Sequence, residues 1–167
     1  CLTCLIFLVH YCSEAQDTLF VFPSAKEIEV AIVGEVAKKD DRLLFSYQLS
    51  SSRSQQNVFE FYVEYFSDVR KIVSPSGWAG LPSSVKKRVI MWGSRDSLND
   101  ILPGHNLSGF AFESVGIPSL VTYYIRGAFK EPTFPEGHAP DSIPGSDIFG
   151  NSVRGRTIGA GKPPSPF

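Results

Sequence analysis

From residue 27 to residue 127 apolar side chains recur at every second position in short runs broken by turn residues, and no stretch holds a helical period for three turns. That pattern restricts the chain to strands that bury one face. Ile28, Val30 and Ile32 share one phase against Glu27 and Glu29, and Lys38-Lys39-Asp40-Asp41 supplies the following turn. Phe45, Tyr47 and Leu49 then alternate with Ser46, Gln48 and Ser50. Phe59, Phe61, Val63 and Tyr65 alternate with Glu60, Tyr62 and Glu64. A fourth strand is expected over 69–73, ended by Pro75-Ser76-Gly77 ahead of Trp78. A fifth covers 85–92, where Lys87 shares a phase with Val89 and Met91 and a bulge would resolve the conflict. The sixth faces Phe110 and Phe112 inward. The seventh faces Val121, Tyr123 and Ile125 inward and Thr122, Tyr124 and Arg126 outward. About seven strands in this length predict an all-β, immunoglobulin-like antiparallel β-sandwich.

A chain of 167 residues with 43% hydrophobic and 20% charged residues suits one domain with its own core. The domain is placed at 16–127. Residues 1–15 read as a signal peptide: Leu2, Leu5, Ile6, Phe7, Leu8 and Val9 form an apolar run too short for a membrane-spanning helix. Ser13 and Ala15 put small residues before a cut at Gln16. Neither an initiator Met nor a basic segment precedes the run, so a signal truncated at its start is expected. Cys1, Cys4 and Cys12 all precede the cut, which leaves the mature chain without disulfides or thiolate ligands. His10 and Tyr11 argue against a lipid anchor at Cys12. After residue 127 Pro and Gly dominate, so 128–167 reads as a tail or linker, with one edge strand open within 148–158. The terminal Pro-Pro-Ser-Pro-Phe reads as a spacer.

The net charge of −1 gives no basic face for nucleic acid, and the mature chain has no membrane span. Lys86, Lys87 and Arg88 form the only basic run and fit a solvated strand edge. Asp96, Asn99 and Asp100 offer oxygens to a calcium ion, but an Asx-rich turn satisfying its own backbone accounts for them better, so neither metal nor cofactor is expected. His105 and His138 have no accompanying nucleophile motif, which leaves no catalytic residue to name. Gly159-Ala160-Gly161-Lys162 lacks the first glycine and the Ser or Thr of a phosphate loop. Tyr62, Trp92 and Tyr124, outward by phase, are the candidate ligand-binding residues of a sugar platform. The competing reading places Trp78 and Trp92 in the core. Asn106-Leu107-Ser108 is a glycosylation sequon, meaningful only in a eukaryotic secretory pathway.

Phe45-Ser46-Tyr47, Ser54-Gln55, Pro75-Ser76-Gly77-Trp78, Met91-Trp92 and the run from Pro103-Gly104 through Leu107, Gly109, Phe110 and Phe112 together resemble uncharacterised exported bacterial proteins. The segment 151–159 resembles one that follows such domains. The resemblance implies a secreted sandwich and supplies no catalytic residues. The leading expectation is thus a secreted, non-enzymatic structural or interaction module that partners a polysaccharide or another exported protein. A carbohydrate-binding module is the alternative, and a hydrolase a second.

Overall fold

The computed structural model describes residues 20–130, 133, 137 and 143–163. The expected signal peptide, all three cysteines and His138 lie outside the described residues. Among the described residues nine strands make two antiparallel sheets: β1 (Val30–Lys39), β2 (Arg42–Ser51), β3 (Val58–Glu64), β4 (Val69–Val73), β5 (Trp78–Pro82), β6 (Val89–Ser94), β7 (Asn106–Ser114), β8 (Pro118–Gly127) and β9 (Val153–Ala160). One sheet runs β1-β2-β7-β4 and the other β5-β6-β3-β8-β9. The first order and the β3-β8-β9 half of the second reproduce the two sheets of an immunoglobulin-like sandwich, and the β5–β6 hairpin extends the second sheet beyond β3.

The alternation of β2 is borne out in full, with Phe45, Tyr47 and Leu49 buried and Gln48 exposed. They meet Phe61 and Val63 of β3, Phe110 and Phe112 of β7, and Val121 and Ile125 of β8 in one core. Phe45 stacks on Phe112 at 5.2 Å, and Phe61 stacks on Trp92 at 5.4 Å. Trp78 and Trp92 are both interior, as the competing reading of them held. Each indole N–H finds a carbonyl: Trp78 donates to Asn99 at 2.8 Å and Trp92 to Val73 at 2.9 Å, so their bulk is buried with no orphaned donor. The turns also form where Pro and Gly placed them. Gly77 (φ 78°) and Gly104 (φ 81°) take left-handed backbone, and Gly109 (φ 101°) is the extra residue of a bulge against Tyr47 and Gln48.

Four expectations are corrected. Phe59 is not in the core: a bulge between Val58 and Glu60 turns Val58 inward in its place, and Phe59 lies outside against Phe129. The fifth strand begins at Val89, so 83–88 form the β5–β6 connection and Lys86 sits in a loop instead of on a strand edge. β5 went unread because Gly80 and Pro82 weaken its strand signal, yet a side chain at 80 would collide with the Trp92 indole. Finally, the 128–167 tail is linker only in part, because the edge strand left open within 148–158 forms as β9 and reaches Ala160. β9 pairs along β8 from Val153–Ile125 to Ala160–Pro118, and Ala160 enters the core. Gly155 makes this possible by lying under the Tyr123 ring, where any side chain would clash.

Candidate functional site

Trp92 is fully buried and points inward, because Ile90 and Trp92 take the core phase of β6 while Val89 and Met91 take the outer one. Tyr62 and Tyr124 do face outward as expected, and they sit in register on neighbouring strands. They are nevertheless buried, at 1% and 8% exposure. Phe149 covers both, at 5.5 Å from the Tyr62 ring and 4.8 Å from the Tyr124 ring, with Ile148 beside it. An exposed, coplanar Tyr62–Trp92–Tyr124 platform is therefore absent from the fold.

The covering segment 147–152 is held as a strap. The Asp147 carboxylate accepts from the backbone N–H of Phe149 at 3.1 Å and Gly150 at 2.9 Å. Buried Asn151 donates to the Pro23 carbonyl and accepts from the Ala25 N–H, each at 2.9 Å. Lys86 closes one side: it donates to Glu64 at 2.8 Å and to the Tyr124 hydroxyl at 2.6 Å, and lies 5.0 Å over the Phe149 ring. Burial works against both charges, but their hydrogen bonds prevail, lowering the Glu64 pKa and raising that of Lys86.

At one end of the same sheet the outer face opens into a cleft of about 600 Å³, lined among others by Phe22, Phe59, Phe129, Arg126, Asp96 and Asp100. β8 places Arg126 opposite Glu60, to which its Nη1 donates at 2.7 Å. The same carboxylate oxygen accepts from the Tyr62 hydroxyl at 2.6 Å; burial and the Glu60 charge together push the Tyr62 pKa upward. The Arg126 guanidinium lies 5.3 Å over the Phe59 ring and 5.6 Å over that of Phe129, within cation–π range. The far wall comes from the β6–β7 connection. Asp96 caps a short 3-10 turn, Ser97–Asn99, by accepting from Leu98 N–H, which is the Asx-rich turn expected there. Burial, together with the neighbouring Asp96 charge, raises the Asp100 pKa against an opposing bond from Ser94.

No group of His, Cys, Asp and Glu able to hold a metal ion occurs among the described residues. His105 is exposed beside the Pro103 carbonyl. Arg126 was legible as an outward residue, but nothing in the sequence linked it to Phe22, which precedes the first strand, or to Phe129, which lies just beyond the read domain.

The strand order defines the class of the protein as an immunoglobulin-like β-sandwich. No family model matches the chain, and no curated protein matches it. Among solved structures it is similar to an uncharacterized protein from Nocardia farcinica whose crystal structure is described as revealing an immunoglobulin-like fold. The two are 9% identical, with 74% of this chain and 94% of that chain covered and a TM-score of 0.44. No helix among the described residues is long and apolar enough to cross a membrane.

Proposed function

We propose that the protein is an exported, non-enzymatic interaction module that binds its partner, a polysaccharide or another exported protein, in the cleft beside Arg126. The carrying observation is the make-up of that cleft: three phenylalanines beside a buried guanidinium on one wall and two carboxylates on the other, in about 600 Å³. Specific small-ligand sites join a largely apolar lining to a few placed polar groups over about 300–1,000 Å³. Export is supported by the apolar run ahead of Ser13 and Ala15.

Two measurements test the reading. N-terminal sequencing of secreted product is expected to begin at Gln16; a start at Cys1, or within 27–36, overturns export. Amide shifts of the secreted chain, titrated with oligosaccharides and with peptides of co-exported proteins, are expected to move first around Phe59, Asp96, Arg126 and Phe129. Movement centred on Val33 and Gln48 of the opposite sheet overturns the assignment of the cleft.

A further inference from the structure

Each sheet has two edge strands: β1 and β4 in one, β5 and β9 in the other. Three of these edges are blunted. β4 is five residues long, is broken by a bulge between Arg70 and Val73 with Lys71 in left-handed backbone (φ 45°), and gives its Val73 carbonyl to Trp92. β5 ends on Pro82, and β9 gives its Ile158 carbonyl to the Tyr47 hydroxyl. β1 has no such device: its ten residues all pair with β2 without a register shift, and none is proline.

The ladder fixes which backbone groups that edge offers. Ser52 N–H donates to the Glu29 carbonyl at 3.1 Å, in the same register as Val30 and Ser51. Odd-numbered residues of β1 therefore bond β2. The N–H and C=O groups of Val30, Ile32, Gly34, Val36 and Lys38 point away from β2 and have no backbone partner among the described residues. On the core side Val30, Ile32 and Val36 are only half-buried, and on the outer side Val33, at mid-strand, is 52% exposed.

The charges along this edge select its occupant. Glu29 precedes the strand, and Lys38 and Lys39 end it. Glu29, Glu35 and Lys38 have no ion-pair partner among the described residues. Lys39 bonds Glu113 but is half exposed, which leaves ammonium donors free. A strand with acid at one end and base at the other complements itself when reversed, as a two-fold interface requires. With the axis at Gly34, Ile32 lies opposite Val36, Val33 opposite Glu35 and Glu29 opposite Lys39, each of them twice. An axis at Glu35 would oppose like charges, and one at Val33 would carry Lys38 and Lys39 past the start of the facing strand.

We infer that β1 pairs antiparallel with β1 of a second copy about a two-fold axis at Gly34, joining the two four-stranded sheets through about ten backbone hydrogen bonds. The cleft lies on the other sheet, so this dimer and the proposed binding site can each fail alone.

Sedimentation equilibrium of the full chain, with reductant present, is expected to give a dimer with a Kd of about 100 μM or tighter. Val33→Glu places carboxylates opposite Glu35 across the axis and should weaken the dimer about tenfold, whereas Val33→Lys places ammonium groups there and should tighten it about threefold. In dilute samples both variants should melt like the parent, since Val33 is exposed. Amide exchange at Ile32, Gly34 and Val36 should slow as the chain is concentrated, with Val33 and Glu35 unchanged because β2 already holds them. A weaker or absent dimer overturns the inference, as does a dimer indifferent to both Val33 variants. If peptides of co-exported proteins slow exchange at those three amides while the chain alone stays monomeric, the edge receives a foreign strand and the second copy is excluded.

Discussion

On the outer face of the four-stranded sheet Val33, Glu35 and Gln48 stand exposed, whereas on the five-stranded sheet Tyr62, Val89 and Tyr124 lie beneath Phe149 and Ile148. Both faces bury something, but by different means. Glu113, on the four-stranded sheet, is only 5% exposed at its side chain and is covered by two lysines, Lys39 at 2.9 Å and Lys71 at 3.2 Å. The first face is closed locally by charge and stays wet around it. The second is closed by a strap that arrives from beyond residue 143 and turns the sheet into the middle layer of three.

The comparison can be pressed from its strongest contrast to its weakest. Phe61→Ala opens the shared core next to Trp92, Tyr47 and Phe110, and is expected to cost about 3–5 kcal/mol in denaturant unfolding. Phe59→Ala, two residues away but outside the core, should cost about 1 kcal/mol. An equal loss at both sites would mean that the β3 bulge does not form. Tyr62→Ala comes next, at about 3 kcal/mol. Alternation alone makes it a harmless surface change within about 0.5 kcal/mol. A near-neutral Tyr62→Ala in the same unfolding assay would show that the strap does not cover it. Phe149→Ala should cost about 2 kcal/mol, the worth of one partly shielded aromatic, and should speed amide exchange at Tyr62 and Tyr124 while leaving Phe45 and Phe112 protected.

The smallest effect lies on the charged face. Hydrogen bonding from Lys39, then from Lys71, holds the Glu113 carboxyl below its ordinary pKa despite its burial. A carboxylate whose folded pKa is depressed stabilises the native state above its unfolded value, about 4.3, and that stability disappears as pH falls through the folded value. Thermal melts should therefore drop in the window just below about pH 4.3. Glu113→Gln should lower the neutral-pH melting temperature and flatten that drop; an unchanged acid limb would exclude Glu113 as its source.

This contrast also explains what was legible in the sequence. β2 could be read because one side of its pleat meets water, so polar and apolar residues separate cleanly. β6 is apolar on both sides: Ile90 and Trp92 face the core, and Val89 and Met91 face the strap. Period-two reasoning had no polar residue there to fix the phase, and Trp92 was assigned to the wrong face. Tyr62 and Tyr124 were phased correctly, but direction is not exposure when a segment from well downstream, 147–152, lies across them. β9 could be read only as an open edge strand within 148–158, because Gly155 and Gly159, the residues that let it pack closely on Tyr123 and Val121, weaken its strand signal. The cleft was legible only in pieces, since Phe22 and Phe129 reach Arg126 through the fold and not through any spacing.

The pairing of β9 bears on the order in which the protein folds. The Tyr47 hydroxyl donates to the Ile158 carbonyl at 2.9 Å across a separation of 111 residues, and β9 also packs beside β1 at the open side of the sandwich. The β1–β2 hairpin is a local pairing, whereas the outer edge of β8 stays unpaired until the last described strand arrives. Sandwiches dominated by such distant pairings fold on the order of milliseconds to seconds, long compared with a hairpin's microseconds. Throughout that interval β8 offers free backbone N–H and C=O groups to any other chain nearby, which makes the wait for β9 the step most exposed to aggregation.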